Sequence, residues 1–164
     1  MPFFIYTKEA FFKTGTASIE KDSIFSEKEF EGKLKISLSA ASGALPIADA
    51  AVQIKKIGDD GTRTLLYLLK TDSSGKTQTV ALAAPSAALS ASPAQIGKSY
   101  TVYEVEIFKE EYYPMIAQNV AVFPGVTSLQ PFTLQPVTVQ DKLNGDGNRP
   151  IIIRDLEPNE LEGS

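Results

Sequence analysis

The sequence predicts an all-β protein, built as a seven-stranded Greek-key β-sandwich. Apolar and polar residues alternate through residues 100–108, the chain turns at a Tyr-Tyr-Pro corner, and a second alternating stretch returns at 120–123. Alternation with a period of two is the pattern of a strand with one face in a core. Other short apolar stretches recur at intervals of roughly ten residues, with turn residues between them, which is typical of a sandwich. The other strands are therefore expected to cover the apolar face of this central pair.

Seven strands are expected along the chain. In the first, Leu34 and Ile36 alternate with polar residues, as in a half-buried strand. Asp-Gly at 60–61 supplies the positive φ of a tight hairpin. Proline cannot donate to a strand ladder, so Pro131 and Pro136 predict an edge strand or a bulge at the end of the sandwich. The expected strands cover residues 33–38, 50–57, 64–70, 77–82, 100–108, 120–123 and 127–137, and residues 151–153 could add a further short strand.

Three regions are expected from composition. Residues 1–31 form an N-terminal arm, residues 32–137 form the sandwich, and residues 138–164 form a flexible, acidic, partly disordered C-terminal tail. Asn-Gly-Asp-Gly-Asn at 144–148 is similar to part of a calcium loop, but Lys142 and Ile153 occupy positions where that loop needs acidic residues. We therefore interpret this segment as a turn without a metal.

The composition of the chain excludes several kinds of chemistry. None of its 164 residues is cysteine or histidine. Thiol catalysis, thiolate metal sites and disulfides are therefore excluded, and the commonest general base and metal ligand is absent. We expect no catalytic residue, no metal and no cofactor, and hence no enzyme.

Charge and hydropathy bear on the partners. The net charge is −4, and the sandwich segment carries nine basic and eight acidic residues without a basic stripe, so nucleic acid is not expected as a partner. No apolar run approaches the roughly 18 residues of a membrane span. The segment Met1–Tyr6 lacks the features of a signal peptide, which predicts a cytoplasmic protein or one exported by an unusual route.

The candidate binding residues lie in the arm and at the corner. An exposed apolar cluster usually marks an interface, so the arm either docks on the sandwich or inserts into a partner or a second copy. Tyr112 and Tyr113 either pack the corner or extend this surface. Glu104 and Glu106 supply the two carboxylates that a glycosidase needs, but we interpret them as part of a solvated sheet face. The proposed surface consists of Phe3, Phe4, Ile5, Phe11, Phe12, Tyr112 and Tyr113.

An ordered set of segments is similar to a known family. The set comprises Gly32 with the following strand, Leu45–Val52, Thr71–Lys76, Tyr103–Ile107 and Tyr112. It resembles the transthyretin-like (prealbumin-like) sandwiches related to carboxypeptidase regulatory domains. More narrowly, it resembles the version found in clostridial (Firmicutes) spore cortex-lytic and peptidoglycan-associated proteins.

This resemblance covers the sandwich segment and implies an accessory module, because nothing matches the catalytic regions of the lytic proteins. It also implies a spore-associated location as an alternative to the cytoplasm. Such domains often carry glycine just before the corner tyrosine, where this chain has Glu111. If that position needs positive φ, the corner must be reshaped or strained.

Two functions remain open at this point. The first is a non-catalytic binding or spacer module whose partner is peptidoglycan or a protein. The second is a structural subunit of a spore layer, a virion or a fibre, which forms homo-oligomers through the apolar arm and open sheet edges. The hydroxyisourate hydrolases of transthyretin type are disfavoured, because they rely on histidines and end in Tyr-Arg-Gly-Ser, whereas this chain ends in Leu-Glu-Gly-Ser. A Lys–Asn isopeptide crosslink is not expected either, since Lys33 and Lys35 should face outward.

Overall fold

The computed structural model describes residues 30–85 and 99–154. It confirms the all-β class, with nine strands in this part of the chain rather than seven. The first 29 residues, which hold most of the predicted arm, and the last ten residues lie outside the described ranges. The strands are β1 (Phe30–Ala40), β2 (Leu45–Pro46), β3 (Ala51–Ile57), β4 (Arg63–Lys70), β5 (Val80–Ala84), β6 (Thr101–Phe108), β7 (Met115–Val122), β8 (Thr127–Thr133) and β9 (Ile151–Arg154).

The strands form two mixed sheets. The larger sheet has five strands in the order β4-β3-β6-β7-β9, in which β9 is parallel to β7 and the other pairs are antiparallel. In the smaller sheet, β1 pairs with β8 in parallel and with β5 and β2 in antiparallel fashion. Strand β8 contains Pro131 and pairs only with β1 among the described residues, so the prediction of an edge strand is confirmed.

A single apolar core lies between the sheets. Leu34, Ile36 and Leu38 of β1 are fully buried, as their alternation predicts. Val105 and Ile107 of β6 face them from the other sheet, and each such side chain contributes about 1.5–3 kcal/mol to stability when it is removed from water. The alternate residues of β6 consequently point away from the core.

The turn at residues 71–76 attaches the loop between β4 and β5 to the smaller sheet. The carboxylate of Asp72 accepts hydrogen bonds from Ser74 N at 2.9 Å and Lys76 N at 3.0 Å. Hydrogen bonds from the Ser74 side chain and the Lys76 backbone lower the pKa of Asp72. Leu38 N then donates to Gly75 O at 2.7 Å, so the turn is joined to the middle of the sandwich.

Residues 138–154, the first part of the predicted C-terminal tail, are ordered on the sandwich, and the short strand expected at 151–153 is present as β9. The last ten residues of the tail lie outside the described residues. Residues Val139–Asn144 form a short helix, α1, whose first turn is capped by Thr138, because its hydroxyl accepts from Asp141 N at 3.2 Å. Tyr113 donates a hydrogen bond from its hydroxyl to the Asp141 carboxylate. The following strand, β9, extends the larger sheet. Packing against β7 and the Tyr113 contact therefore hold residues 138–154 on the sandwich.

The corner before Tyr112 has the positive φ that the glycine of similar domains suggested for this position. Glu111 adopts φ +70°, a region that costs a non-glycine residue roughly 1–2 kcal/mol. The ion pair from its carboxylate to Lys142 Nζ is long, at 3.5 Å, and exposed, so it contributes little. The structure thus places a strained glutamate where the domains that the sequence resembles often have glycine.

Glu111→Gly is expected to raise the free energy of unfolding by about 1 kcal/mol, because glycine removes the strain of the left-handed backbone. Urea denaturation at neutral pH measures the change. Glu110→Gly is the matched control: Glu110 is not at positive φ, so the same replacement there should lower stability by about 0.5–1 kcal/mol. Equal effects at the two positions would contradict this interpretation of the corner.

Candidate binding site

An acidic residue is buried on the face of the larger sheet that points away from the core. Tyr103 and Val105 of β6 fill the core, so the intervening Glu104 projects from the opposite face. A carboxylate there would normally be solvated, yet Glu104 is only 2% exposed. The interpretation of Glu104 as part of a solvated face is therefore wrong. Glu106 follows the expected pattern more closely, since it is partly exposed and pairs with Lys55 at 2.7 Å.

The partner of the buried carboxylate comes from the edge of the sheet. Arg63 begins β4, which is separated from β6 by β3. Its Nε donates to Glu104 Oε1 at 2.9 Å, while 55% of the Arg63 side chain remains exposed. Charge-assisted bonds of this kind are stronger than neutral ones. The carboxylate thus holds the guanidinium in a defined place while much of the side chain stays in contact with solvent.

A bulge in β7 shapes the other side of the site. Tyr103 pairs with Val120 and Val105 pairs with Ala117, so Gln118 and Asn119 together oppose the single residue between them. Asn119 adopts φ +64°, a conformation that asparagine tolerates better than most residues. Bulges of this kind redirect side chains and are frequent beside functional sites.

A second arginine completes the site from the opposite edge. Arg154 pairs in register with Gln118, and its Nη2 lies 3.4 Å from Gln118 Oε1. The two arginines and the glutamate surround an open depression of about 550 Å³. Its charged groups sum to +1. The depression is lined by Ile57, Arg63, Val102, Tyr103, Glu104, Gln118, Asn119 and Arg154.

The edge strand β4, which begins at Arg63, carries three exposed leucines. Leu65, Leu66 and Leu68 are 51%, 40% and 65% exposed. Strand β4 pairs only with β3 within residues 30–85 and 99–154. Strand β4 has a bulge at Leu66 and a charged residue at each end, which are features that protect sheet edges. The exposed leucines between these charges still leave an apolar stretch that is suited to contact with another chain.

The two tyrosines predicted as binding residues are held in the structure. Tyr112 packs against the core, and Tyr113 contacts α1 through its hydroxyl. Hydrogen bonds from Thr138 and Tyr113 lower the pKa of Asp141. Tyr112 also lines a smaller depression of about 350 Å³ near Lys142. These tyrosines do not line the depression between the two arginines, and their binding role stays a prediction.

The predicted residues of the arm, at positions 3–5, 11 and 12, lie outside the described residues. Their role in binding therefore also stays a prediction. The residues that form the depression were not singled out as a site from the sequence. Alternation placed Glu104 on the polar face of its strand, but no local pattern indicates that Arg63 and Arg154 converge there.

Two kinds of feature are absent from the described residues, a cluster of metal-ligating side chains and a membrane-spanning helix. No group of three or more acidic, histidine or cysteine residues in these ranges could hold a metal ion. No helix in the same ranges is long and apolar enough to cross a membrane. The core residues recorded there include no lysine, so no isopeptide donor occupies the described core.

Comparisons with known proteins do not show a family. No family model matches the chain, and no curated protein matches it. Among solved structures, a chlorocatechol dioxygenase from Rhodococcus opacus is 17% identical with a TM-score of 0.45, and the alignment covers 69% of this chain and 62% of the enzyme. The minor pilin of Streptococcus agalactiae is 14% identical with a TM-score of 0.43, covering 67% and 46% of the two chains. Transthyretin from Sparus aurata is 17% identical with a TM-score of 0.36, covering 64% and 90%.

The matches thus include the transthyretin type of sandwich that the sequence resembles. Their TM-scores are below 0.5 and do not support any inference about function. The chain spans less than two thirds of the length of the dioxygenase and of the pilin. The dioxygenase, the pilin and the transthyretin do not bear on the narrower resemblance to spore cortex-lytic proteins, which stays a prediction.

Proposed function

We propose that this chain is a non-catalytic binding module whose outer sheet face holds its partner, with cell-wall peptidoglycan as the first candidate. The observation that carries the proposal is the burial of Glu104 on a face where a carboxylate would ordinarily be hydrated. Burying a charge costs free energy that a solvated face avoids. In return, the buried carboxylate fixes Arg63 beside the depression, and a pre-organised donor binds with less loss of conformational freedom.

The composition supports a binding role over catalysis. The chain has no histidine or cysteine, and the charged groups of the depression are two arginines and one carboxylate that is already paired. Such groups hydrogen-bond and orient a ligand, and the chain lacks histidine, the commonest general base near neutral pH. Peptidoglycan as the partner rests on the resemblance of the sandwich segment to wall-associated proteins.

Co-sedimentation with isolated peptidoglycan sacculi and spore cortex tests this function. The full chain is expected to pellet in moderate salt, and Arg63→Gln combined with Arg154→Gln should weaken apparent binding by at least about tenfold. Arg149→Gln is the matched control, because Arg149 is exposed and pairs with Asp146 rather than with this site.

Two other outcomes would redirect the proposal. Loss of pelleting when Phe3, Phe4, Phe11 and Phe12 are changed to serine, with no effect of the arginine changes, would place binding on the arm. Failure to pellet at any concentration would contradict the wall partner. It would favour the second candidate, a structural subunit that assembles through the apolar edge of β4, for which concentration-dependent sedimentation of the free protein is the readout.

A further inference from the structure

We infer that the depression between Arg63 and Arg154 binds a peptide-like ligand through its free carboxylate. This inference rests on the proposed function and specifies the ligand chemistry of the same site. It is carried by the charge of the site, by the way each arginine is held, and by the size and lining of the depression.

The charge of the site favours a single negative group. Two guanidinium groups and one carboxylate leave a net charge of +1. The nearby pair of Lys55 and Glu106 is already neutral, at 2.7 Å. A monoanion balances this charge, whereas a cationic ligand would meet two arginines around a carboxylate that already has a partner. A second depression, beside Tyr112, is lined by two lysines and two glutamates, so its charges sum to zero and it shows no such surplus.

Both arginines are oriented by acceptors of the protein itself. Arg63 is held through Nε by the buried Glu104 at 2.9 Å. A bond at Nε leaves the terminal nitrogens of the guanidinium available for a two-pronged contact with a planar carboxylate. At the opposite edge of the sheet, Arg154 Nη2 lies 3.4 Å from Gln118 Oε1. The two side chains therefore approach one depression from β4 and β9. Glu104 acts on a ligand only through Arg63 and is a positioning residue.

The size and lining of the depression indicate a ligand larger than an ion. Its volume of about 550 Å³ lies in the range of small-molecule sites, roughly 300–1,000 Å³. Ile57 and Val102 give it an apolar part, and Gln118 brings a side-chain amide. Amides are able to donate and accept hydrogen bonds to peptide groups. A carboxylate that ends a short peptide with small apolar side chains satisfies all three features.

Two sources could supply this chemistry, and the experiment separates them. We would titrate the isotope-labelled full chain with acetyl-D-alanyl-D-alanine, which represents a wall peptide, and with acetyl-L-alanyl-L-alanine, which represents a protein C-terminus. The corresponding C-terminal amides are the controls. Chemical shift changes should centre on residues of the depression, and the acids should bind at least about tenfold more tightly than their amides. Preference for the D,D or the L,L acid identifies the source.

Substitutions test the assignment of each group. Arg63→Gln and Arg154→Gln should each weaken binding of the acid by about tenfold and leave binding of the amide unchanged. Glu104→Gln makes the site more positive, so simple charge attraction predicts tighter binding. Loss of the anchor for Arg63 predicts weaker binding of the acid, which is the result we expect. Arg63→Gln leaves the buried Glu104 without its partner and is the variant most at risk of unfolding. If either Arg63→Gln or Glu104→Gln is unfolded by its spectrum, Arg154→Gln at an exposed position and the Arg149→Gln control still decide the question.

The inference and the proposed function fail in different ways. Equal binding of acid and amide, or shift changes confined to other surfaces, would overturn the carboxylate assignment even if the chain pellets with sacculi. An acid preference that depends on both arginines, found in a chain that does not pellet with sacculi, would support the ligand chemistry and contradict peptidoglycan as the partner.

Discussion

Gly75→Ala is expected to lower the free energy of unfolding by about 3–4 kcal/mol, because it combines backbone strain with a steric clash. Gly75 has φ +74°, and a Cβ at this position would lie 2.3 Å from Leu38 O and 3.0 Å from Ile47 N. Both contacts are with backbone, so no side-chain rotation relieves them. The clash also separates the turn from β1, which removes the hydrogen bond from Leu38 N to Gly75 O.

Gly61→Ala is the matched control for this prediction. Gly61 also has positive φ, at +81°, but a Cβ there would have no heavy atom within 4 Å. Gly61→Ala should therefore lower the free energy of unfolding only by the cost of the left-handed backbone, about 1–2 kcal/mol. Urea denaturation of both variants separates the cost of the backbone conformation from the cost of the steric clash. If the free energy of unfolding falls by the same amount in both variants, the predicted clash between the turn and β1 does not contribute to the loss of stability.

Thr71→Val is expected to have the second largest effect, a loss of about 2–4 kcal/mol from two unsatisfied buried groups. The Thr71 hydroxyl accepts from Ala50 N at 3.0 Å and donates to Ile47 O at 2.7 Å. Thr71 is almost fully buried, so water does not easily replace these bonds. Valine has nearly the same shape, and the loss therefore reports on the hydrogen bonds rather than on packing.

Two further variants make this test specific. Thr71→Ser keeps a hydroxyl and should recover most of the lost stability. Thr64→Val makes the same replacement on the exposed part of β4 and should change stability by less than about 0.5 kcal/mol. Thermal and urea unfolding of the set provide the measurements. A loss below about 1 kcal/mol in Thr71→Val, despite an unchanged structure, would show that Ala50 and Ile47 find other partners.

Local sequence patterns predicted a large part of the fold. The alternation in β1 and β6 identified their core residues, because a strand directs every second side chain to the same face whatever its neighbours are. Pro131 identified an edge strand for an equally local reason, since a proline lacks the N–H that a central strand needs. The glycine and aspartate of the turn at 71–76 likewise marked a turn that the structure contains.

Other elements depended on contacts that local patterns do not encode. The return strand was expected at 120–123 but begins at Met115, because the bulge at Gln118 and Asn119 interrupts the alternation. Residues 138–150 look polar and flexible in isolation, although residues 151–153 were expected to add a short strand. Residues 138–154 are ordered by the Tyr113 contact with α1 and by the parallel pairing of β9 with β7. Parallel neighbours are joined by long connections, so such pairings leave little trace in the nearby sequence.

Residue patterns along the chain were enough to predict the all-β class, the main core residues and the edge character of β8, and the composition excludes thiol and imidazole chemistry. The position of the candidate site follows from contacts between distant residues. Arg63 is 41 residues from Glu104, and Arg154 is 36 residues from Gln118, and the strand order alone brings them to one depression. Alternation specifies the face of the sheet to which Glu104 points. Its burial depends on an arginine that crosses a neighbouring strand, because the solvation of a charge is set by what surrounds it in space.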